Sequence, residues 1–168
     1  AAAALNFKTD QLLLFLPADH HVPDANLFIK TIRMGASAAK KGALITFGVE
    51  PTSPHTGYGY IQIDGSPNGA SYVRRFIEKP DYETALSYLS SGDYYWNAGV
   101  FLGRADAFLE AMGKYAPDIL QATKNAVNKQ LLDGDFIHLD SESFASCRSE
   151  SIDYAVFEKH DNVRMIPF

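Results

Sequence analysis

Two short apolar runs, Leu12–Leu16 and Ala43–Val49, constrain this chain more than anything else in it. Each has the length of a strand, and Pro17 closes the first. A continuous apolar run without alternation is what a strand needs when helices cover both of its faces, as in a parallel sheet. Between the two runs, Asp24 is placed to cap a helix, and Leu27, Phe28, Ile32, Ala36 and Ala39 recur near helical spacing until Gly42 ends it. Strand, helix and strand in this rhythm predict a right-handed crossover in an α/β fold with a mixed, mainly parallel sheet.

Further along, the pattern changes. Pro51–Gly57 is rich in Pro, Ser and Thr and reads as a loop. Tyr58–Ile63 and Tyr72–Ile77 read as strands around a Gly- and Pro-containing turn over 64–69, an antiparallel excursion on the sheet. A helix is expected from Pro80-Asp81, a strand over Tyr94–Leu102, and a helix carrying Ala105, Phe108, Leu109 and Met112. Another helix is expected from Pro117 to about Leu132, followed by a short helix around Ile152–Lys159 and a strand over Val163–Pro167. No internal repeat or linker interrupts the 168 residues, so the whole chain reads as part of one domain.

Composition narrows the function. A net charge of −5 with 21% charged residues argues against a broad basic surface for nucleic acid, yet leaves room for a nucleotide, which needs only a few donors. The longest apolar run is far too short to span a bilayer. The single cysteine, Cys147, reads as a buried structural thiol that requires no oxidising compartment. Ala1–Leu5 has no positive segment before it and does not read as a signal peptide, so the expected location is cytoplasmic.

Five segments have the residue types that chemistry needs. In Leu16-Pro17-Ala18-Asp19-His20, a carboxylate follows a buried strand, where open α/β sheets place their ligands. Asp19 there can hold a divalent cation, with water and phosphate oxygens completing the shell, or it can cap a turn. His20 and His21 are adjacent and diverge, which suits hydrogen bonding better than a metal. In Thr56-Gly57-Tyr58-Gly59-Tyr60-Ile61, the glycines allow close approach of a ligand to the backbone, or simply a hinge into a strand. In Phe76-Ile77-Glu78-Lys79-Pro80, Glu78 can accept from sugar hydroxyls and Lys79 can neutralise a phosphate, unless the two are only a surface ion pair. In Tyr94-Tyr95-Trp96-Asn97-Ala98-Gly99-Val100-Phe101, Trp96 reads as packing, and polar Asn97 as a functional or network residue. In the stretch from Ser149 to Lys159, Ser151 and Asp153 suit a helix N-terminus.

Taken together, in this order and spacing, the five segments resemble the bacterial mannose-1-phosphate guanylyltransferases (GDP-mannose pyrophosphorylases), a family whose domain is fused in some members to a phosphomannose isomerase. The resemblance implies a three-layer α/β sandwich of the Rossmann-like nucleotide-diphospho-sugar transferase type. It implies that Asp19 binds Mg2+, that Glu78 and Lys79 hold the sugar hydroxyls and sugar phosphate, and that Asn97 and the Gly57-Tyr58-Gly59 backbone add sugar contacts. Asp19 and Lys79 would then be the catalytic residues in this stretch. The family also has a Gly-rich loop with a catalytic Arg, expected to precede Ala1, and a second metal-binding Asp, expected to follow Phe168. On that expectation the chain is the central, sugar-binding part of one nucleotidyltransferase domain and is inactive by itself. Ala98 stands where Ser is common, and Arg148 where Pro is expected.

The implied partners are GTP and mannose 1-phosphate, and a homodimer is compatible with the family; neither nucleic acid nor membrane is expected. Two other readings stay open. One is a related transferase using another base or sugar, since base choice belongs to the preceding segment. The other is a sugar-phosphate binding module without activity.

Overall fold

The computed structural model describes every residue except Ser66 and Asn68. The turn expected over 64–69 therefore lies partly outside the described residues. In chain order the elements begin with α1 (Ala2–Leu5), β1 (Leu12–Phe15), α2 (Ala25–Lys40), β2 (Leu44–Val49), β3 (Gly59–Ile63) and β4 (Ser71–Glu78). They continue with α3 (Tyr82–Ser91), β5 (Tyr94–Arg104), α4 (Ala105–Tyr115) and α5 (Pro117–Asn128). The last are β6 (Leu131–Asp133), β7 (Phe136–His138), α6 (Ser141–Ala145), a π-helical turn over Asp153–Phe157, and β8 (Val163–Pro167). These elements group into two compact units, one of Leu12–Arg104 with His160–Phe168, the other of Ala1–Gln11 with Ala105–Lys159.

The first unit is built on a six-stranded mixed sheet in the order β1-β5-β2-β8-β4-β3. β3 pairs with β5 as well as β4, so the hydrogen bonding from β5 through β2, β8, β4 and β3 closes on itself. The expectation of a mainly parallel sheet is corrected here: β2–β8 is the one parallel pairing in this sheet among the described residues. Both apolar runs are strands of one direction, since β1 and β2 each run antiparallel to β5. β2 is buried along most of its length, whereas β1 is only partly covered, as befits the edge of the sheet. What the two sequences do not show is that β5 lies between them. The core of this unit gathers Ala39 from α2, Ile45 and Phe47 from β2, Val100 and Leu102 from β5, and Ile166 from β8, all buried. The helix packs closely: a Cβ on Gly35 would lie 3.1 Å from Ile45 and 3.4 Å from Leu102.

Local signals account for the helix ends. Asp24 accepts from the Leu27 N–H at 2.9 Å and caps α2, and Asp81 does the same for α3 from Thr84 at 2.8 Å. Gly42, at φ +91°, turns the chain out after α2 in a conformation that only glycine adopts cheaply.

In the second unit α5 stops at Asn128, short of the Leu132 expected, because Leu131–Asp133 leaves the helix to pair with Phe136–His138 across Asp133-Gly134-Asp135. Gly134 at φ +57° supplies the turn, and the Gly134-Asp135 pair between the two short strands was its signal. Arg148 bridges the carboxylates of Asp118 and Glu150, so the unexpected arginine ties α5 to the segment after α6. That pairing holds the Asp118 carboxyl below its ordinary range. Cys147 is half-buried rather than buried, its Sγ 3.5 Å from the Arg148 carbonyl oxygen. Ser151 accepts from the Tyr154 N–H at 3.4 Å at the start of the π-helical turn. Among the described residues no helix is long and apolar enough to cross a membrane.

Candidate functional site

Strand β5 organises the site. Trp96 pairs with both Val49 and Tyr60, and Phe101 with both Phe15 and Thr46. A strand residue has one neighbour on each side, so β2 lies along one edge of β5 while β1 and β3 share the other. On that shared edge β1 ends opposite Phe101 and β3 begins opposite Trp96. Residues 97–100 thus face a gap between two strand ends. The register against β2 breaks at the same place, because the four steps from Asn97 to Phe101 match the two steps from Gly48 to Thr46. β5 therefore bulges at Ala98-Gly99-Val100, with Gly99 at φ +65°. Bulges of this kind re-aim side chains beside functional sites.

Asn97 holds the bulge in shape. Its Oδ1 accepts from the Gly99 N–H at 3.1 Å and from the Thr46 hydroxyl at 3.2 Å. Asn97 is thus a network residue whatever else it contacts. Thr46 was missed by the sequence reading; a lone hydroxyl in the Leu44–Val49 run, fully buried, has to find a partner, and that was the signal.

Three of the nominated residues meet across the gap. Gly59, the first residue of β3, pairs with Glu78, the last of β4. A Cβ on Gly59 would overlap Glu78 Oε2 and lie 3.3 Å from Asn97 Cβ. The Glu78 carboxylate and Asn97 therefore stand directly over the Gly59 backbone. Glu78 is mostly covered, at 14% side-chain exposure, while Lys79 is 62% exposed with its Nζ 3.8 Å from Glu78 Oε1. Lys79 holds φ +50°, a left-handed backbone that a non-glycine residue before proline rarely adopts. Its N–H donates to the Tyr58 carbonyl at 3.3 Å, which binds the Glu78-Lys79 segment to the glycine segment.

Gly57 and Tyr58 are placed by His55, a residue the sequence reading passed over. His55 Nδ1 accepts from the Gly57 N–H at 3.1 Å, and its ring stacks on Tyr58 with centroids 3.9 Å apart. Trp96 stands edge-on to Tyr58 at 5.2 Å. Trp96 packs, as expected, but does so against this loop, and its indole Nε1 is buried without a hydrogen-bond partner among the described residues.

Asp19 lies on the turn that follows the chain's passage beside the gap. After β1 the chain runs past Gly99, whose Cβ would lie 3.6 Å from Pro17 Cγ, and Asp19 follows two residues later on an exposed turn. Asp19 has no hydrogen bond or ion pair with any described residue, and it caps nothing; the helix cap is Asp24. Among the described residues no group of three His, Cys, Asp or Glu side chains converges as a metal cage. One exposed carboxylate suits a divalent cation that keeps most of its waters.

Known proteins resemble this chain in sequence and in fold. The chain is 49% identical over 158 residues to the xanthan biosynthesis protein XanB of Xanthomonas campestris pv. campestris strain B100, covering 94% of this chain and 34% of that protein. It is 47% identical over 175 residues to the mannose-1-phosphate guanylyltransferase of Salmonella montevideo, covering 99% of this chain and 37% of that protein. The chain thus spans about a third of the length of these curated relatives. Among solved structures, a mannose-6-phosphate isomerase from Helicobacter pylori superposes with a TM-score of 0.91 at 33% identity, over 99% of this chain and 65% of that one. A protein from Thermus thermophilus described as a mannose-1-phosphate geranyltransferase gives 0.81 at 33% identity, over 93% and 44%. Residues 1–142 match the nucleotidyl transferase family, and the chain belongs to it.

Proposed function

We propose that the full protein is a mannose-1-phosphate guanylyltransferase, transferring GMP from GTP to mannose 1-phosphate with release of pyrophosphate. The observation that carries this reading is the meeting of Glu78, Asn97 and the bare backbone of Gly59 over the β5 gap, with Lys79 beside them. Three of the four named relatives carry a mannose phosphate in their names, and those three differ in the reaction. The nucleotidyl transferase match, spanning most of the chain, favours transfer over isomerisation. On this reading the two compact units belong to one nucleotidyltransferase domain, and the mixed sheet is the middle layer of a three-layer sandwich. The single cysteine fits a cytoplasmic location.

In the proposed reaction a phosphate oxygen of the sugar phosphate attacks the α-phosphorus of GTP in line, and pyrophosphate departs. The attacking oxygen is already anionic, so no side chain has to remove a proton. The protein's part is alignment and charge neutralisation. Glu78 accepts from ring hydroxyls, and its cover from solvent strengthens those bonds. Asn97, held beside Gly59 by its bonds to Thr46 and Gly99, presents its side chain to the sugar. The absence of a Cβ at Gly59 leaves room for the Glu78 carboxylate and Asn97 to stand over the backbone, where both can reach the sugar beside Tyr58. Lys79, exposed and close to Glu78, neutralises the sugar phosphate. Asp19 would hold Mg2+, which when bound supplies charge neutralisation for the phosphate oxygens.

The test is pyrophosphate release by the full protein from GTP and mannose 1-phosphate, with ATP and dTTP and with glucose 1-phosphate as competitors. Asp19→Ala should lose at least about 99% of turnover, the scale on which removing one electrostatic stabiliser acts. Near-normal turnover in Asp19→Ala would remove Asp19 from the metal role. Preference for another base or sugar would reassign the substrates, and binding of sugar phosphate without turnover would leave a binding module.

A further inference from the structure

The glycine segment at the site is an exposed loop, and exposed glycine loops sample many backbone states. This one is pinned at one residue. The His55 backbone carbonyl accepts from the hydroxyl of Tyr60 at 2.9 Å, and the Tyr60 side chain is fully buried beside Ala85 and Tyr94. From that fixed point the imidazole reaches forward two residues. Its Nδ1 accepts from the Gly57 N–H, and its ring lies nearly parallel to Tyr58, 10° off. Trp96 closes the far side of both rings, edge-on to Tyr58 at 72° and to His55 at 80°. Beyond Tyr58 the chain enters β3, where Gly59 lies under Glu78. The bend is thus held by two side-chain hydrogen bonds, one from the Tyr60 hydroxyl to the His55 carbonyl and one from the Gly57 N–H to the His55 ring.

We propose that His55 is a positioning residue: its Nδ1 holds the Gly57 amide, and so sets Tyr58 and the glycine backbone against the sugar phosphate before substrate arrives. This rests on the guanylyltransferase reading for the identity of the substrate, but not for the bond itself. The bond fixes the tautomer, with the imidazole proton on Nε2, because Nδ1 must carry the accepting lone pair. It also joins residues i and i+2, the spacing at which an asparagine carbonyl accepts in an Asx turn. Asparagine can therefore replace the acceptor without the ring, and phenylalanine the ring without the acceptor.

Two measurements on the full protein test this. In steady-state kinetics, His55→Phe should raise KM for mannose 1-phosphate about tenfold, the worth of a typical hydrogen bond, with kcat and KM for GTP held within about twofold. His55→Asn should restore KM to within about threefold of the unmodified protein. In amide hydrogen exchange without substrate, the Gly57 N–H should exchange about tenfold faster in His55→Phe and near the original rate in His55→Asn. The reverse order, with Phe retaining and Asn losing KM and protection, would overturn the proposal in favour of ring stacking alone. Equal effects in both variants, or a joint fall in kcat with the thermal midpoint, would overturn it in favour of a plain folding role. If the unmodified protein releases no pyrophosphate, the substrate reading fails, while Gly57 exchange still decides what His55 does.

Discussion

Alanine substituted at two glycines of the same sheet should have opposite consequences. A Cβ at Gly48 would lie 2.8 Å from Tyr95 Cβ and 2.8 Å from Met165 Sδ. Carbon atoms rest about 3.5–4.0 Å apart, so roughly 0.7–1.2 Å of movement is required. Met165 can swing its thioether, but Tyr95 Cβ is bonded to the backbone of β5, and the strand itself has to shift. Overpacking of this kind costs about 1–3 kcal/mol. For a chain of this size that lowers the thermal midpoint by roughly 2–12 °C. At Gly59 the overlap is with Glu78 Oε2, the far end of a side chain that can rotate away, and the Asn97 Cβ contact of 3.3 Å needs only a small adjustment. The φ of Gly59 is not positive, so alanine also gains about 0.4–1 kcal/mol by restricting the unfolded chain. Gly59→Ala should therefore melt within a few degrees of the unmodified protein. With Glu78 displaced, it should raise KM for the sugar phosphate about tenfold or more. Differential scanning calorimetry and steady-state kinetics on both variants decide the matter. If Gly59→Ala is destabilised as much as Gly48→Ala, or binds sugar phosphate normally, then contact distances in this gap do not control the position of Glu78.

Three other outcomes follow from the same geometry. Lys79 bears a left-handed backbone, so Lys79→Gly should be more stable than Lys79→Ala by about 1 kcal/mol in chemical denaturation, while both lose turnover; equal stability would show that the φ of +50° carries no strain. Thr46→Val removes the hydroxyl that donates to Asn97 and should cost about 1–2 kcal/mol and raise KM for the sugar phosphate several-fold, measured by denaturation and kinetics; an unchanged KM would detach the bulge from binding. Hydrogen bonds from Gln62 and then Ser91 hold the Asp93 carboxyl below its ordinary range, so its stabilising effect is complete above about pH 4, the unfolded value, and is lost as pH falls through the lower folded value. The stability gap between the unmodified protein and Asp93→Asn should thus narrow on acidification, and a gap constant with pH would contradict the assignment.

Much of the fold was legible because the relevant signals are local. The caps at Asp24 and Asp81, the glycine exit at Gly42 and the proline entry at Pro117 act within a few residues, and each stands where the sequence places it. Sheet order was not legible, because β5 enters between β1 and β2 from far along the chain, and an apolar run reads alike beside a parallel or an antiparallel neighbour. The β6–β7 hairpin begins inside the expected helix, since a three-residue strand gives no period and only Gly134-Asp135 marked it. At the site, Glu78 and Lys79 were visible at a strand end, the glycines at a strand start, and Asn97 as a polar residue inside a strand. Thr46 and His55 were not, because their roles depend on partners that pairing alone brings close.

The placement of the site follows from one property of β5. A strand of eleven residues is long enough to pair with β1 at one end and β3 at the other along a single edge, and the two partners do not meet. The unpaired stretch between them would expose backbone polar groups at a cost, and the chain meets that cost by bulging at Ala98-Gly99-Val100 and satisfying the Gly99 N–H with Asn97 Oδ1. The same bulge brings Gly99 beside Pro17, and with it the turn bearing Asp19. It also leaves Asn97 next to Gly59 and Glu78. A substitution that lets β1 or β3 extend across the gap would therefore stabilise the sheet and close the place where the sugar phosphate is proposed to lie. On the proposed reading, stability and binding are opposed at residues 97–100, and the most stable form of this sheet would not be the most active one.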